Sequence, residues 1–414
     1  MMENREVNGM KSGCKRRIEL PEEILAEIVA RLPFRSVTRF KAVCKGWRSL
    51  IESTYFRRLF VFAHRNSSSS WSLMCGTFGW SVQEMAGFYG CKRYGLPRRL
   101  GSYIPPHGLV DKYKIIACAD GLVLLRTVTK GETFIVGSPV LRQWVQLPPH
   151  PWKGISSSVQ VTGLVTRVED SVVLEYKVVC MDNELGFEVE SLIFEIYSSL
   201  TGTWTRKEVR CPRLIVSLSY QRCLSLNKML HWLDNHYRSR SNVGAIVAYD
   251  FYATDDEQQC RVIPFPDQKA CFRRAYTTSG GFLIYMDYFN KIHLLLRLWR
   301  LEEYTSDSGR WQLTQEINLT SFGCDHRYFP VAMHPSETHI IYMGNPDKAL
   351  VSIDLKTHKL TLHTKSSAYR DTMVYHYLRT VYLSVNAGFD HDVFYTPQFT
   401  LPTWMGSVPR APSI

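Results

Sequence analysis

Two hydrophobic rhythms divide this chain. Between residues 20 and 56 the apolar side chains recur at helical spacing. From Trp71 onward they alternate, or come in short runs broken by Gly, Asp, Asn and Pro. The first stretch reads LPEEILAEIVARLPFRSVTRFKAVCKGWRSLIESTYF. Pro21 fits a first helical position, where its missing N–H costs nothing, and Glu22 and Glu23 put negative charge in the first turn. Ile24, Leu25, Ile28 and Leu32 then form one apolar stripe, and Pro33 ends the helix. Ser36 is the predicted N-cap of the next helix. Its apolar face is Val37, Phe40, Val43, Cys44 and Trp47, continued by Leu50, Ile51 and Phe56.

A helical unit near ~40 residues usually needs outside help to fold, and each of its large side chains gains roughly 1.5–3 kcal/mol on full burial. The stretch therefore docks on the rest of the chain or on a partner. Residues 57–62 read as a short strand or helix end, and the serine run at 66–70 breaks regular structure. The predicted organisation is a basic tail without regular structure (1–17), a helical unit (18–58), a linker (59–70), a β domain (71–404) and a C-terminal tail (405–414).

In the β half, strands are predicted at 113–118, 121–126, 133–136, 176–181, 191–198, 245–252, 281–287, 339–342 and 349–354. A repeat runs through them. Each unit pairs two strands across a turn and then closes on a short strand, with Trp144, Trp204, Val262, Trp311 and Leu360 in the comparable closing positions. Polar hairpins precede three of these positions: SSLTGTW, TSDSGRW and DLKTHKL. Successive closing positions lie 60, 58, 49 and 49 residues apart, near the ~50 residues of one propeller blade. A sixth unit would combine residues 382–395 with strands from 71–88 and close a ring, removing exposed sheet edges. A pair of β-sandwiches is the alternative architecture.

Composition narrows the function classes. The net charge is +12, and residues 1–60 hold 13 Lys and Arg against 7 Asp and Glu. A second basic run covers Lys92, Arg93, Arg98, Arg99, Lys112 and Lys114. No nucleic-acid motif accompanies either run, so a solvated face or a surface for an acidic protein is favoured over nucleic acid. Lys15-Arg16-Arg17 reads as a solvated flank rather than a nuclear address. The 11 cysteines are scattered with no CxxC pair, which argues against a zinc ribbon or a disulfide framework and suits a reducing compartment. With no secretory signal or bilayer-length apolar run, no membrane role is expected, and the expected location is cytoplasm or nucleus.

The helical stretch resembles an F-box. The matching residues are Leu20-Pro21, Ile24-Leu25, Ile28, Leu32-Pro33, Arg35-Ser36, Phe40, Val43-Cys44-Lys45, Trp47 and Ser49-Leu50-Ile51. Val29-Ala30 and Val37 depart mildly from the bulkier residues frequent there. The resemblance implies docking on a Skp-type adaptor, and through it on cullin and RING subunits, by way of Leu20, Pro21, Ile24, Leu25, Ile28, Leu32, Pro33, Val43 and Trp47. The β half resembles the F-box-associated domain of plant F-box proteins, a kelch-like propeller of about six blades. Kelch repeats proper carry a double glycine per blade, and here only Gly280-Gly281 fits.

Catalytic and metal constellations are absent from the sequence: it contains no GxSxG, HExxH or Walker loop. Asp390-His391-Asp392 and Asp255-Asp256-Glu257 read as polar turns, His358 and His363 as residues on opposite faces of a strand pair, and Cys44 as helix-face packing. The resemblance implies a non-catalytic adaptor subunit without a cofactor, holding a target protein for ubiquitination. Three loops carry the candidate target-binding residues: Asp182 and Asn183, Asn235 and His236, Asp287 and Tyr288. Two other classes remain: an F-box scaffold or regulator outside a ligase, and a ligand-sensing propeller coupled to degradation, which a central channel lined by His, Asp or Arg would favour.

Overall fold

The computed structural model describes residues 20–67, 69–75, 83–88, 93–95, 113–127, 133–151, 161–181, 188–216, 223–234, 245–253, 260–266, 273–289, 294–304, 309–346, 349–363 and 396–412. Two compact units divide between Asn66 and Ser67.

Among its described residues the helical unit has four helices: α1 (Glu22–Ala30), α2 (Phe34–Phe40), α3 (Lys45–Glu52) and α4 (Thr54–Ala63). Prolines open the first two, with Pro21 and Pro33 as N-caps. The single helix expected from Ser36 is two helices, because residues 41–44 turn and Cys44 caps α3, its Sγ accepting from the Trp47 N–H at 3.4 Å. Cys44 is exposed, so it caps rather than packs. Ser53 caps α4 through the Phe56 N–H at 3.1 Å, and that helix runs through residues 59–63, where a linker was expected. The unit's core is Ala26, Val29, Ala30, Phe34, Val37, Ile51, Phe56 and Phe60. Phe34 meets Phe60 edge-on at 6.0 Å, and buried His64 hydrogen-bonds the Leu32 carbonyl at 3.3 Å.

The second unit is a six-bladed propeller, which sets aside the sandwich pair. One blade takes β1 (Trp71–Cys75) and β2 (Gln83–Phe88) from the N-terminal side. The next contains β3 (Tyr113–Ala119), β4 (Leu122–Thr127), β5 (Phe134–Ser138) and β6 (Gln143–Gln146); we call it blade I. Blade II follows with β7 (Val161–Glu169), β8 (Val172–Met181), β9 (Glu188–Ser198) and β10 (Trp204–Val216). Blade III is β11 (Leu224–Leu226), β12 (Met229–Asp234), β13 (Ala245–Asp250) and β14 (Cys260–Pro264). Blade IV holds β15 (Arg273–Ser279), β16 (Phe282–Phe289), β17 (Leu295–Tyr304) and β18 (Gly309–Asn318). Blade V holds β19 (Phe329–Met333), β20 (Ile340–Asn345), β21 (Ala349–Asp354) and β22 (Lys359–Leu362), and β23 (Gln398–Thr400) pairs with β1 to complete blade VI. The ring is thus closed by both ends of the domain, as expected, with Gln398–Thr400 as the described closing strand; residues 382–395 lie outside the described residues.

Apolar runs such as YKVVCM arise because each blade is sandwiched between two others. On β8, Tyr176, Val178 and Cys180 pack with blade I, while Val179 and Met181 pack with blade III. Alternation along a strand sends successive side chains to opposite faces, and here both faces are core. All five closing positions, Trp144, Trp204, Val262, Trp311 and Leu360, lie on the fourth strands of their blades. Two of them tie neighbours together: Trp204 Nε1 donates to the Pro148 carbonyl of blade I at 3.1 Å, and Trp311 Nε1 to the Pro264 carbonyl of blade III at 2.9 Å.

The first hairpin of blades I to IV turns on a residue pair with positive φ: Asp120-Gly121, Asp170-Ser171, Asn227-Lys228 and Gly280-Gly281. Such pairs match the twist of the strands they join. The double glycine is therefore one version of a turn that blades I to III build with Asp and Asn.

Gln398 fastens the ring. Its Oε1 accepts from Thr278 Oγ1 at 2.7 Å, and its Nε2 donates to Thr277 Oγ1 at 2.8 Å and to the Met333 carbonyl at 2.7 Å. The tail expected from residue 405 is packed instead: Trp404, Met405 and Val408 are buried, and the Val408 N–H reaches Gln143 Oε1 at 2.9 Å.

Two stability predictions follow from buried positions. Gly137 lies opposite Trp144 on β6, and a Cβ there would collide with the Gln143 carbonyl and the indole ring. Gly137→Ala is expected to lower the unfolding free energy of the propeller by about 1–3 kcal/mol, read by urea denaturation. The second concerns His231, which is wholly buried; burial pushes its pKa from 6.5 down to about 4. The unfolded chain therefore takes up this proton first. The contribution is complete above pH 6.5 and is lost as the pH falls toward 4, a decline of roughly 3 kcal/mol. Unfolding free energies measured across this range should show the decline, and His231→Gln should flatten it.

Candidate functional site

The helical unit uses its apolar residues on two sides. On α1 the inward side is made by small residues, Ala26, Val29 and Ala30, which pack closely beneath the helix. The large residues of the apolar stripe are not part of that inward side: Ile24 is 47% exposed and Ile28 is 49% exposed, with Leu25 half-buried between them. Leu20 and Pro21, at the entry to α1, are exposed, and Leu32 and Pro33 at its exit are half-buried. In the turn between α2 and α3, Val43 is 66% exposed. Trp47 is half-buried, its ring 5.4 Å from that of Phe40.

None of the nine residues expected to dock a partner is buried, and five of them are exposed. The surface can do one kind of work: it can lose water against another apolar surface. Helix α4 adds two aromatics not anticipated from the sequence, Tyr55 and Phe62, 54% and 62% exposed, with the Arg65 guanidinium 3.9 Å over the Phe62 ring. Their spacing of seven residues, two helical turns, was the available signal.

The candidate target-binding residues fare differently. Asp182, Asn183, Asn235 and His236 lie outside the described residues. Asp287 and Tyr288 were expected in a loop but lie within strand β16, both fully buried. Asp287 accepts from Arg297 Nε at 3.0 Å, from Arg297 Nη2 at 2.5 Å and from Trp299 Nε1 at 3.3 Å. It is an anchor within blade IV and has no side chain to offer a target. A strand-end Asp-Tyr followed by Phe-Asn looks like a turn in sequence, whereas its partners sit across the neighbouring strand β17.

Among the described residues no group of three His, Cys, Asp or Glu could hold a metal. His358 occupies the β21–β22 hairpin with φ 52° and stacks on Phe322, while His363 shares a hydrogen bond with Ser352 Oγ at 2.8 Å. Asp390-His391-Asp392 and Asp255-Asp256-Glu257 lie outside the described residues. Among the described residues no helix is long and apolar enough to cross a membrane.

Comparison with known proteins gives this geometry a context. Residues 18–59 match the F-box domain, and residues 69–410 match the β-propeller of the F-box protein At3g26010-like family. The chain is 88% identical over 413 residues to the putative F-box/kelch-repeat protein At1g15680 of Arabidopsis thaliana, covering 100% of both chains. It is 37% identical to the F-box protein At1g49990 of the same plant, over 98% of this chain and 100% of the relative. The F-box protein At3g26010 of Arabidopsis thaliana is 36% identical, over 96% of this chain and 92% of the relative. An outward apolar surface on a four-helix unit, followed by a six-bladed propeller and matched along nearly the whole length, places the chain in one family: it belongs to the F-box proteins with a C-terminal β-propeller.

Proposed function

We propose that this protein is the substrate-recognition subunit of a cullin–RING ubiquitin ligase. Its helical unit docks on a Skp-type adaptor through Leu20, Pro21, Ile24, Leu25, Ile28, Leu32, Pro33, Val43 and Trp47, and its propeller holds a target protein. The observation that carries this reading is the outward placement of Leu20, Ile24, Ile28 and Val43, which are 44–66% exposed while α1 buries the smaller Ala26, Val29 and Ala30. Large apolar side chains held out by a folded helix stabilise only a complex.

The chain makes and breaks no bond in this reading. Its contribution is proximity: a lysine of the bound target is held near the ubiquitin-carrying enzyme, which raises the effective concentration of the reacting groups. The reading places this work in the cytoplasm or the nucleus, reducing compartments that suit cysteines scattered with no CxxC pair. To test it, proteins retained by the propeller are incubated with the reconstituted ligase. Ubiquitin accumulating on them only when adaptor and cullin are both present supports the reading. Ubiquitin transfer independent of this chain would overturn it, and capture of the adaptor without cullin would favour a scaffold.

A further inference from the structure

The helical unit carries a charge asymmetry that its own folding does not use. From Arg31 to Arg65 the sequence holds nine Lys and Arg and a single carboxylate, Glu52, and Lys41 already engages that carboxylate at 3.5 Å. Arg35, Arg39 and Lys45 are exposed, and none has an ion pair among the described residues. Two of the three stand where the backbone disfavours them. Arg35 is in the first turn of α2 and Lys45 opens α3, beside the positive end of a helix dipole, where carboxylates are stabilising and cations are not. Helix α1 shows the favourable arrangement in the same unit, with Glu22 and Glu23 in its first turn.

Two of these cations, Arg39 and Lys45, bracket an apolar tip along the chain. Val43, the most exposed of the unit's large hydrophobic side chains, lies in the turn between Arg39 and Lys45. A phosphate backbone makes no use of a bare valine, and a solvated basic face has no need of one. A protein surface with an apolar recess and carboxylates at its margin would use both. We propose that Arg35, Arg39 and Lys45 form a cationic steering rim of the adaptor-docking surface and that the matching face of the Skp-type adaptor is acidic. This rests on the docking reading given above. Rim charges act mainly on encounter, raising the association rate in a salt-dependent way, whereas buried apolar contacts govern dissociation.

The test is a kinetic measurement of the full chain binding to a Skp-type adaptor of Arabidopsis thaliana. Association is expected to slow about tenfold between about 50 mM and about 500 mM salt. The triple variant Arg35→Gln, Arg39→Gln, Lys45→Gln is expected to associate about tenfold more slowly at low salt, with a flattened salt dependence and a dissociation rate within about twofold of wild type. Arg35→Lys with Arg39→Lys, which retains the charge, is expected to keep the wild-type rate. An association rate unchanged in the triple variant, or independent of salt, overturns the steering rim and leaves docking intact. Absence of adaptor binding by the wild-type chain at every salt concentration overturns the docking reading and the rim with it. Sedimentation with phosphatidylserine vesicles that the triple variant loses, while its adaptor association rate stays normal, assigns the patch to an anionic membrane and also overturns the proposal.

Discussion

Ile24→Gln combined with Ile28→Gln is expected to weaken adaptor binding by roughly a thousandfold, about 4 kcal/mol, while leaving the thermal unfolding of the chain unchanged. Both side chains are about half exposed in the free chain, so each forgoes only the remaining burial, about 1 kcal/mol. The larger part comes from the amide, which must give up water against an apolar partner without a replacement hydrogen bond, at about 1–3 kcal/mol each. Glutamine is as good a helix former as most residues, and the inward side of α1, formed by Ala26, Val29 and Ala30, is untouched. The net charge does not change either, so the effect falls on dissociation and is separable from that of the cationic rim. Calorimetric titration with the adaptor reads the affinity and a melting curve reads the fold. A large fall in melting temperature would mean that these isoleucines support the unit internally.

The second large effect belongs to the propeller. Asp287→Ala is expected to destabilise it by about 3–5 kcal/mol, because it strips the carboxylate from an Arg297 side chain that is 21% exposed and has little water to turn to. Asp287 is the acceptor of three hydrogen bonds from Arg297 and Trp299. Removing both charges together with residues of similar volume, Asp287→Leu with Arg297→Met, is expected to recover most of the loss, since a buried pair and a packed apolar pair are often close in energy. Urea denaturation of the single and double variants checks both statements. A single variant as stable as wild type would show that the remaining contacts of Arg297, such as that with the Trp299 ring, are enough to hold it.

The sequence was most legible where a period repeats. Five closing positions read from the chain all fall on fourth strands, because a ring of similar blades imposes the same alternation on each. It was least legible where small or unusual residues decide. The spacing of large apolar side chains marked Ile24, Leu25, Ile28 and Leu32 as one stripe of α1, but it gave no sign that the helix would pack inward on Ala26, Val29 and Ala30 and leave the isoleucines exposed. The break between α2 and α3 was missed because its cap is the thiol of Cys44 rather than a hydroxyl or carboxylate. Helix α4 was read as a short strand or helix end although Ser53, its cap, stood in plain view. Asp287 and Tyr288 were misplaced for another reason: nothing local distinguishes a polar residue at a turn from one whose counter-ion lies across a sheet.

The most direct test of the account is recovery of the full-length chain from cells together with its bound partners, comparing wild type with Leu20→Ala, Pro21→Ala. Both residues are exposed at the entry to α1, so the variant keeps its fold and loses contact area. The account predicts that the wild-type chain brings down the Skp-type adaptor and cullin, and that the double variant retains the proteins held by the propeller while losing both ligase subunits. Adaptor and cullin recovered with the variant at wild-type yield would contradict it.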